Sequence, residues 1–237
     1  MFPYTHIYCT GRIVKDASPW LRYGSTFPDI PVTGRISWDV IKTGTEKFAA
    51  YTKEKYPFLE DFARGLLLHE EPNGIDRFVH GESGYAYLAG HKILSEVAKH
   101  FPDRSLIVAH SFIEFAVEIS VVNAHPELLA DMRSVITAVE QSKTQLAKPL
   151  SEVFGLTPTT AELAITEFNN EILAEKLERL NESKQSYTAM TNRYRQTNVS
   201  VEVVSRLLDL ALDVVRPDWE PVLTRMIEHC RKELNMI

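Results

Sequence analysis

The stretch AHSFIEFAVEIS, residues 109–120, constrains the fold more than any other part of the sequence. It belongs to a predicted helix over residues 103–123 that is apolar around almost its whole circumference, so other parts of the chain must cover it. His110, Glu114 and Glu118 interrupt the apolar surface at intervals of four residues and fall within about 80° of arc. Because a buried carboxylate is costly unless it is paired or binds a metal, these groups either satisfy one another or hold a ligand.

The rest of the sequence predicts an all-α fold. Period-2 alternation and short hairpin turns are lacking, whereas helical periodicity and helix caps are frequent. Residues 18–34 contain three prolines and two glycines, which predict that the first 35 residues are irregular. We predict helices over residues 37–55 with Ser37 as cap, 56–71, 83–100, 103–123 with Asp103 as cap, 125–150, and 159–190 with a capping box at Thr159 and Glu162, followed by two helices that meet at Arg216 and Pro217.

The histidines divide the chain into two parts. Seven of the eight lie at or before His125. We therefore expect a helical metal-binding domain over residues 1–150 and a helical C-terminal extension packed on it over residues 151–237.

The charge, the cysteines and the N-terminal sequence indicate which partners and which cellular compartment to expect. The net charge of −6 argues against non-specific nucleic-acid binding, which needs a basic surface. Cys9 and Cys230 form neither a metal-type spacing nor a disulfide framework. The N-terminal stretch lacks the regions of a signal peptide, and no uninterrupted apolar run approaches the roughly 18 residues of a membrane span. We expect a cytoplasmic protein with no transmembrane segment.

Further candidate ligands precede residue 125 in the stretches PYTHIYC, GSTFPDIP, LLLHEEPNGIDRFVHGE and GYAYLAGHKILSEVAKH. Each has an ordinary alternative, such as a helix cap, a surface charge or a turn in which an aspartate binds its own backbone. Their common chemistry is nevertheless that of a metal site, since facing helices can present imidazoles and carboxylates to two or three ions. The candidate metal ligands are His6, Asp29, His69, Asp76, His80, His91, His110 and Glu114.

Signatures of other metal and nucleotide sites are absent from the sequence. It contains no His-Glu-x-x-His, no Glu-x-x-His and no adjacent His-Asp. It also lacks a P-loop, a Gly-x-Gly-x-x-Gly and a Gly-x-Ser-x-Gly.

The order of the stretches PYTHIY, GSTFPDI, LLLHEE, YLAGH and HSFIE resembles the zinc-dependent phospholipase C family, which is itself similar to the S1/P1 nucleases. The resemblance covers residues 1–125 and implies a multi-helix bundle of the phospholipase C/P1 nuclease type, here with additional C-terminal helices. It implies two or three ions of zinc, or of another divalent metal such as manganese. The family usually carries His-x-x-x-Asp in its central helix. Ser95 stands four residues after His91, so either Asp76 or Asp29 would supply the bridging carboxylate or fewer ions would be bound.

The activity that this resemblance implies is hydrolysis of a small phosphoester or phospholipid-like substrate. Asp29 or Glu118 would be the catalytic base. One alternative is a non-enzymatic helical protein with a degenerate metal site, in which the segment 162–195 contacts a partner or a second copy of the chain. Another is a hydrolase that cleaves a different bond, such as an amide, with the same metals.

Overall fold

The computed structural model of the protein describes residues 3–70, 74–80, 83–174 and 183–233. Within these ranges the regular elements are helices and there is no strand, which confirms the all-α prediction. The α-helices are α1 (Pro3–Ile13), α2 (Pro19–Thr26), α3 (Trp38–Lys55), α4 (Glu60–His69), α5 (Tyr85–Gly90), α6 (Leu94–Ala98), α7 (Ser105–Ala124), α8 (Leu128–Gln141), α9 (Lys143–Phe154), α10 (Pro158–Glu167), α11 (Ser183–Arg195), α12 (Val201–Val215) and α13 (Trp219–Glu233). Short 3-10 helices span Phe27–Thr33, Pro57–Leu59, Ile75–Phe78 and Pro102–Arg104, and a π-helical segment spans Phe168–Ala174.

Helix α7 lies at the centre of the fold, as its apolar circumference requires. It packs against α1, α5, α6 and α12. Its buried residues come from all sides of the helix, including the stripe of His110, Glu114 and Glu118. The first and last helices also pack together, because α13 lies against α1 and against the 3-10 helix Ile75–Phe78.

The segment Pro102–Ala124 is long and apolar enough to cross a membrane by length and composition, with a mean hydropathy of 1.7. This was not expected from the sequence, where polar residues interrupt every long apolar run. However, 67% of the relevant window is buried inside the fold, and a helix at the centre of a protein core passes the same test. The finding is therefore weak evidence for a membrane span.

Most of residues 3–35 are helical, in α1, α2 and the 3-10 helix Phe27–Thr33, so the prediction that the first 35 residues are irregular was wrong. Two of the three prolines stand where a helix tolerates them, whereas Pro31 lies inside the 3-10 helix Phe27–Thr33. Pro19 is in the first turn of α2, behind Ser18, whose side chain accepts a hydrogen bond from the Leu21 amide. Pro28 likewise lies in the first turn of the 3-10 helix Phe27–Thr33. A proline in a first turn removes an amide that has no partner inside the helix, so it starts a helix as readily as it marks a loop.

Two glycines allow α2 and α4 to pack at very short range. A Cβ atom on Gly24 would lie 2.2 Å from the Phe62 carbonyl oxygen, and one on Gly65 would lie 2.3 Å from the Leu21 carbonyl oxygen. Both distances are far below any normal contact, so neither position accepts a side chain without moving a helix. This contact fixes the end of α4, where His69 stands, against the end of α2.

Other boundaries follow the prediction in part. The Ser37 cap and the division at Arg216 and Pro217 are confirmed. The predicted helix 83–100 divides into α5 and α6, and the helix 125–150 divides near Ser142 into α8 and α9. α7 starts after a 3-10 turn with no side-chain cap from Asp103, and the α10 cap is Thr157, two residues before the predicted one. Residues 175–182 of the predicted helix 159–190 lie outside the described residues.

Candidate metal centre

Six of the predicted ligands converge in two groups of three. The first group consists of His6, His69 and Asp76, and the second of His80, His110 and Glu114. In each group the three ligand atoms lie within 4.8 Å of one another. Six residues spread over more than one hundred positions of sequence therefore present nitrogen and oxygen atoms to two neighbouring points.

The carboxylate of Asp76 joins the two groups. Its Oδ1 lies 3.6 Å from Nε2 of His6, while its Oδ2 lies 3.0 Å from Nε2 of His69 and 3.4 Å from Nε2 of His80. In the second group, Oε1 of Glu114 lies 3.5 Å from Nε2 of His80 and 3.6 Å from Nε2 of His110. Two ligands of a tetrahedral zinc ion with bonds of about 2.1 Å lie about 3.4 Å apart. The separations of 3.0–3.6 Å are close to that spacing, and Asp76 lies within this range of histidines from both groups.

His6 is positioned by the third residue of the α7 stripe. Glu118 is fully buried and accepts hydrogen bonds from the Tyr4 amide at 3.0 Å and from the Thr5 amide at 2.8 Å and hydroxyl at 2.7 Å. These amides belong to the first turn of α1, where a negative charge is favourable. Glu118 belongs to neither ligand group, and binding α1 with both oxygens does not favour its predicted role as catalytic base.

His69 is oriented by a backbone carbonyl. Its Nδ1 lies 2.8 Å from the carbonyl oxygen of Ser25. Because a carbonyl oxygen only accepts, Nδ1 carries the proton, and the lone pair of Nε2 points toward the two groups whenever the ring is neutral. Metal-binding histidines commonly have such a partner on their other nitrogen. Sequence reasoning could not identify Ser25, since any residue supplies a carbonyl.

The imidazoles of His6 and His110 are buried and neutral. Burial, and then the neighbouring His69, lowers the pKa of His6 well below its ordinary value, and burial lowers the pKa of His110 to about 4. Both ring nitrogens of His6 and Nε2 of His110 are buried without a hydrogen-bond partner in the described part of the chain. Leaving a buried polar atom unsatisfied costs about 1–3 kcal/mol. A cation bound at the lone pairs would remove part of that cost.

The acidic groups keep their negative charge despite burial. Burial opposes ionisation of Asp76, but His69 and its hydrogen bond hold the pKa of this carboxyl well below its usual value. The pKa of Glu114 is also lowered against the effect of burial, with His110 and His80 among the causes. The pKa of His69 is raised by the Asp76 charge even though burial acts in the opposite direction. Neighbouring charges thus keep both carboxylates ionised, as metal ligands must be.

Asp29 lies beside the centre and outside both ligand groups. It stands in the 3-10 helix Phe27–Thr33, and burial raises its pKa above the ordinary value. The charges of His69, Asp76 and Glu114 also act on it, so it lies within electrostatic range of both groups. A carboxyl group with a raised pKa next to such a site is a candidate for proton transfer.

His91 does not join the cluster. It follows α5 in a turn, its side chain is exposed, and Ser95 is exposed as well. Helical periodicity places His91 on one side of a helix, but it does not show whether that side faces the protein interior or solvent. The element that replaces it is the 3-10 helix Ile75–Phe78. This 3-10 helix carries Asp76, and His80 follows it by two residues. The amide of His80 donates to the Asp76 carbonyl oxygen at 2.9 Å, so the side chains of Asp76 and His80 are one helical turn apart.

A narrow apolar cleft adjoins the second group. Glu114 is the charged residue among those that line it, and α13 closes one side. The lining residues are Phe78, Val79, Tyr85, Glu114, Val117, Trp219, Val222, Leu223 and Met226. Sequence reasoning missed this cleft, because it depends on how α13 packs on distant elements.

Comparison with known proteins does not assign this centre, because no family model, curated protein or solved structure matches the chain. Its chemistry is therefore inferred from the donor atoms and their spacing. Imidazole nitrogens and carboxylate oxygens at these separations could hold a divalent metal ion in each group.

Proposed function

We propose that the protein is a metal-dependent hydrolase that cleaves phosphoester bonds with two zinc or similar divalent ions. The observation that carries this proposal is the position of the Asp76 carboxylate between two histidine-containing groups. The bundle type and the preference for phosphoesters are supported by the sequence resemblance to the zinc-dependent phospholipase C family. The substrate is a small phosphoester or a phospholipid-like molecule.

The donor set leaves room for a reacting group. His6, His69 and Asp76 would hold one ion, and His80, His110 and Glu114 the other, with Asp76 shared between them. The first ion would have three protein ligands, as in catalytic zinc sites that keep a further position for water or substrate, and the second would have four when the shared Asp76 is counted. The His80 side chain is 32% exposed, whereas His6 is fully buried, so access from solvent is through the second group.

The bound ions would supply an acidified water molecule and positive charge for the phosphoryl oxygens. The side chains would supply the neutral ligands and the group that accepts a proton. His6 and His110 stay neutral and keep their lone pairs available, because burial lowers the pKa of each ring. Asp29, which lies within electrostatic range of both groups, would be the candidate to accept the proton of the attacking water.

A direct test is the metal content of protein loaded with zinc and then dialysed against metal-free buffer. We expect two ions per chain in the native protein and hydrolysis of a generic phosphodiester such as bis(4-nitrophenyl) phosphate. The variant His110→Ala with Glu114→Ala should lose the second ion while its circular dichroism is unchanged. His125→Ala is a matched control, since His125 lies outside both groups. Native protein without bound metal and without activity would refute the proposal.

The second candidate is a non-enzymatic helical protein whose metal site is degenerate. The short His69–Asp76 contact of 3.0 Å favours it, because these two groups can satisfy each other as an ion pair without a metal. In that case zinc leaves the pair unchanged, and the ring resonances of His69 in an NMR titration do not shift on zinc addition. Binding to a second copy of the chain through the C-terminal helices stays a prediction.

A further inference from the structure

Two histidines of the candidate metal centre are held in different ways. The ring of His69 is oriented by the hydrogen bond between its Nδ1 and the Ser25 carbonyl oxygen, at 2.8 Å. In the described part of the chain, Nδ1 of His110 has no such bond. Its Nε2 faces Glu114 at 3.6 Å and is buried without a hydrogen-bond partner there. Because a metal-binding imidazole needs a contact that fixes its ring, something other than a hydrogen bond must orient His110.

Two aromatic rings lie against His110. The centroid of the Tyr87 ring is 4.3 Å from that of His110, with 32° between the ring planes, so the two rings are stacked rather than packed edge to face. The His80 ring lies 4.9 Å away at 50°. His80 is itself a member of the second group. Of the two contacts, Tyr87 is therefore the one that supports His110 from outside the ligand group.

Close backbone contacts fix the helix that carries Tyr87. A Cβ atom on Gly90, the last residue of α5, would lie 3.2 Å from the amide nitrogen of His110, so α5 approaches α7 very closely at this ligand. Just before α5, a Cβ atom on Gly84 would lie 2.4 Å from the carbonyl oxygen of His80. Tyr87 stands midway between these contacts. The backbone that carries its ring is thus held against both histidines of the second group.

Stacking of Tyr87 on His110 should become stronger when a cation binds. An imidazole that donates its lone pair to a divalent ion takes on part of the positive charge, and the face of an aromatic ring attracts a cation. The Tyr87 side chain is half-buried, so water screens this contact only in part. The contact therefore favours the metal-bound form of His110 in addition to orienting the ring.

We propose that Tyr87 is a positioning residue for the second ion. Its ring, stacked on His110, holds the imidazole toward Glu114 and His80 and stabilises it when a metal is bound. The proposal rests on the metal centre of the proposed function, and it adds a residue that acts on the ion through His110. The ring alone supplies the effect, and the hydroxyl takes no part in it.

The test compares two substitutions, of which Tyr87→Leu removes the ring and Tyr87→Phe keeps it. In Tyr87→Leu we expect one of the two zinc ions to bind about 2- to 30-fold more weakly, the range for a contact between a cation and an aromatic face. The other ion should bind as in the native protein. Tyr87→Phe should bind both ions with native affinity. Competition with a zinc chelator measures these affinities.

Two spectroscopic measurements report the position of the His110 ring itself. The visible absorption of cobalt-loaded protein depends on the arrangement of the ligands, so Tyr87→Leu should shift the bands of one ion and Tyr87→Phe should restore them. A contribution to stability alone would leave the bands unchanged. The second measurement needs no substitution. Zinc-loaded native protein should show a nuclear Overhauser effect between the ring protons of Tyr87 and His110.

Tyr51→Leu is the matched control. Tyr51 is also a half-buried tyrosine, but it lies on α3, where its hydroxyl donates to Glu152 at 2.8 Å and its ring contacts Tyr56. None of these residues belongs to either ligand group. We expect native zinc affinities and a native cobalt spectrum in this variant.

The outcomes separate this proposal from the proposed function. Native zinc affinities and a native cobalt spectrum in Tyr87→Leu, or a missing Overhauser effect, would overturn the role of Tyr87 and leave the metal centre intact. Equal losses in Tyr87→Leu and Tyr87→Phe would assign the effect to the hydroxyl and overturn it as well. Zinc binding that depends on the ring, without phosphoester hydrolysis, supports the positioning role and refutes the hydrolase. Native protein that binds no zinc overturns both.

Discussion

At the scale of single residues, Asp76 matters most to the proposed centre because its two oxygens face three imidazoles. No other described carboxylate lies against both groups at hydrogen-bond or ion-pair distance. Its loss removes a ligand from each ion, whereas loss of His6 or His110 removes a ligand from one.

Asp76→Asn should therefore weaken zinc binding in both groups. We expect a loss in affinity of more than about 100-fold, because even supporting contacts of a metal ligand are worth 10- to 100-fold. Competition with a zinc chelator measures the change. Asp39→Asn, on the exposed start of α3, should bind zinc like the native protein. Native affinity in Asp76→Asn would show that this carboxylate is not a ligand.

The neutral histidines make the metal-free protein sensitive to acid. His110 has a folded-state pKa of about 4 against an ordinary value of 6.5. Below pH 6.5 the unfolded chain binds a proton that the folded chain does not, so stability falls until the pH reaches the folded pKa. His110 alone contributes about 3 kcal/mol to this loss. His6 acts in the same direction, and His69, whose pKa is raised, acts in the opposite one.

Urea unfolding in the presence of a chelator at pH 7, 6 and 5 measures this loss. His110→Gln keeps a polar side chain that does not titrate, so its stability should fall less steeply between pH 6.5 and 4. An identical slope in native protein and variant would contradict the neutral, buried state of His110.

At the scale of elements, the close contact between α2 and α4 positions His69 and the Ser25 carbonyl that orients it. Gly65→Ala adds a methyl group 2.3 Å from the Leu21 carbonyl oxygen. The two helices must separate, which should cost roughly 1–3 kcal/mol of unfolding free energy. Zinc affinity should also fall about 10-fold, because the orienting hydrogen bond to His69 weakens.

Gly11→Ala is the control for this substitution. A Cβ atom there meets only the end of the Arg22 side chain, at 3.2 Å, and that side chain can move. We expect unchanged zinc affinity and equal or slightly higher stability, since alanine favours a helix interior. Thermal unfolding and chelator competition on both variants give the comparison. Equal behaviour of the two would show that the α2–α4 contact does not position His69.

At the scale of the whole molecule, the ligands come from α1, α4, α7 and the segment around Ile75–Phe78. The unfolded chain cannot bring these elements together, so under the proposed function zinc would bind the folded state and stabilise it. At a zinc concentration of about 100 times the dissociation constant, each site adds about 2.7 kcal/mol. The melting temperature should rise with zinc and fall after chelation. The variant His110→Ala with Glu114→Ala should show a smaller rise.

The sequence predicted the helical class and the burial of α7, because both depend on residue type and local period. Of the eight candidate ligands, six lie in the two groups, and Asp29 and His91 lie outside them. The sequence could not show that His91 faces solvent or that Glu118 caps α1, since both depend on which helix lies opposite. The helices in the first 35 residues were missed because prolines that start helices look like prolines in loops.

Glu118 has a further consequence for how substitutions combine. The same helix that carries His110 and Glu114 fixes the first turn of the helix that carries His6. Changes at Glu118 and His6 should therefore be non-additive in a double-mutant cycle, although the two residues belong to different helices. A change at Glu118 alone should therefore disturb His6 as well as the contacts that Glu118 makes itself.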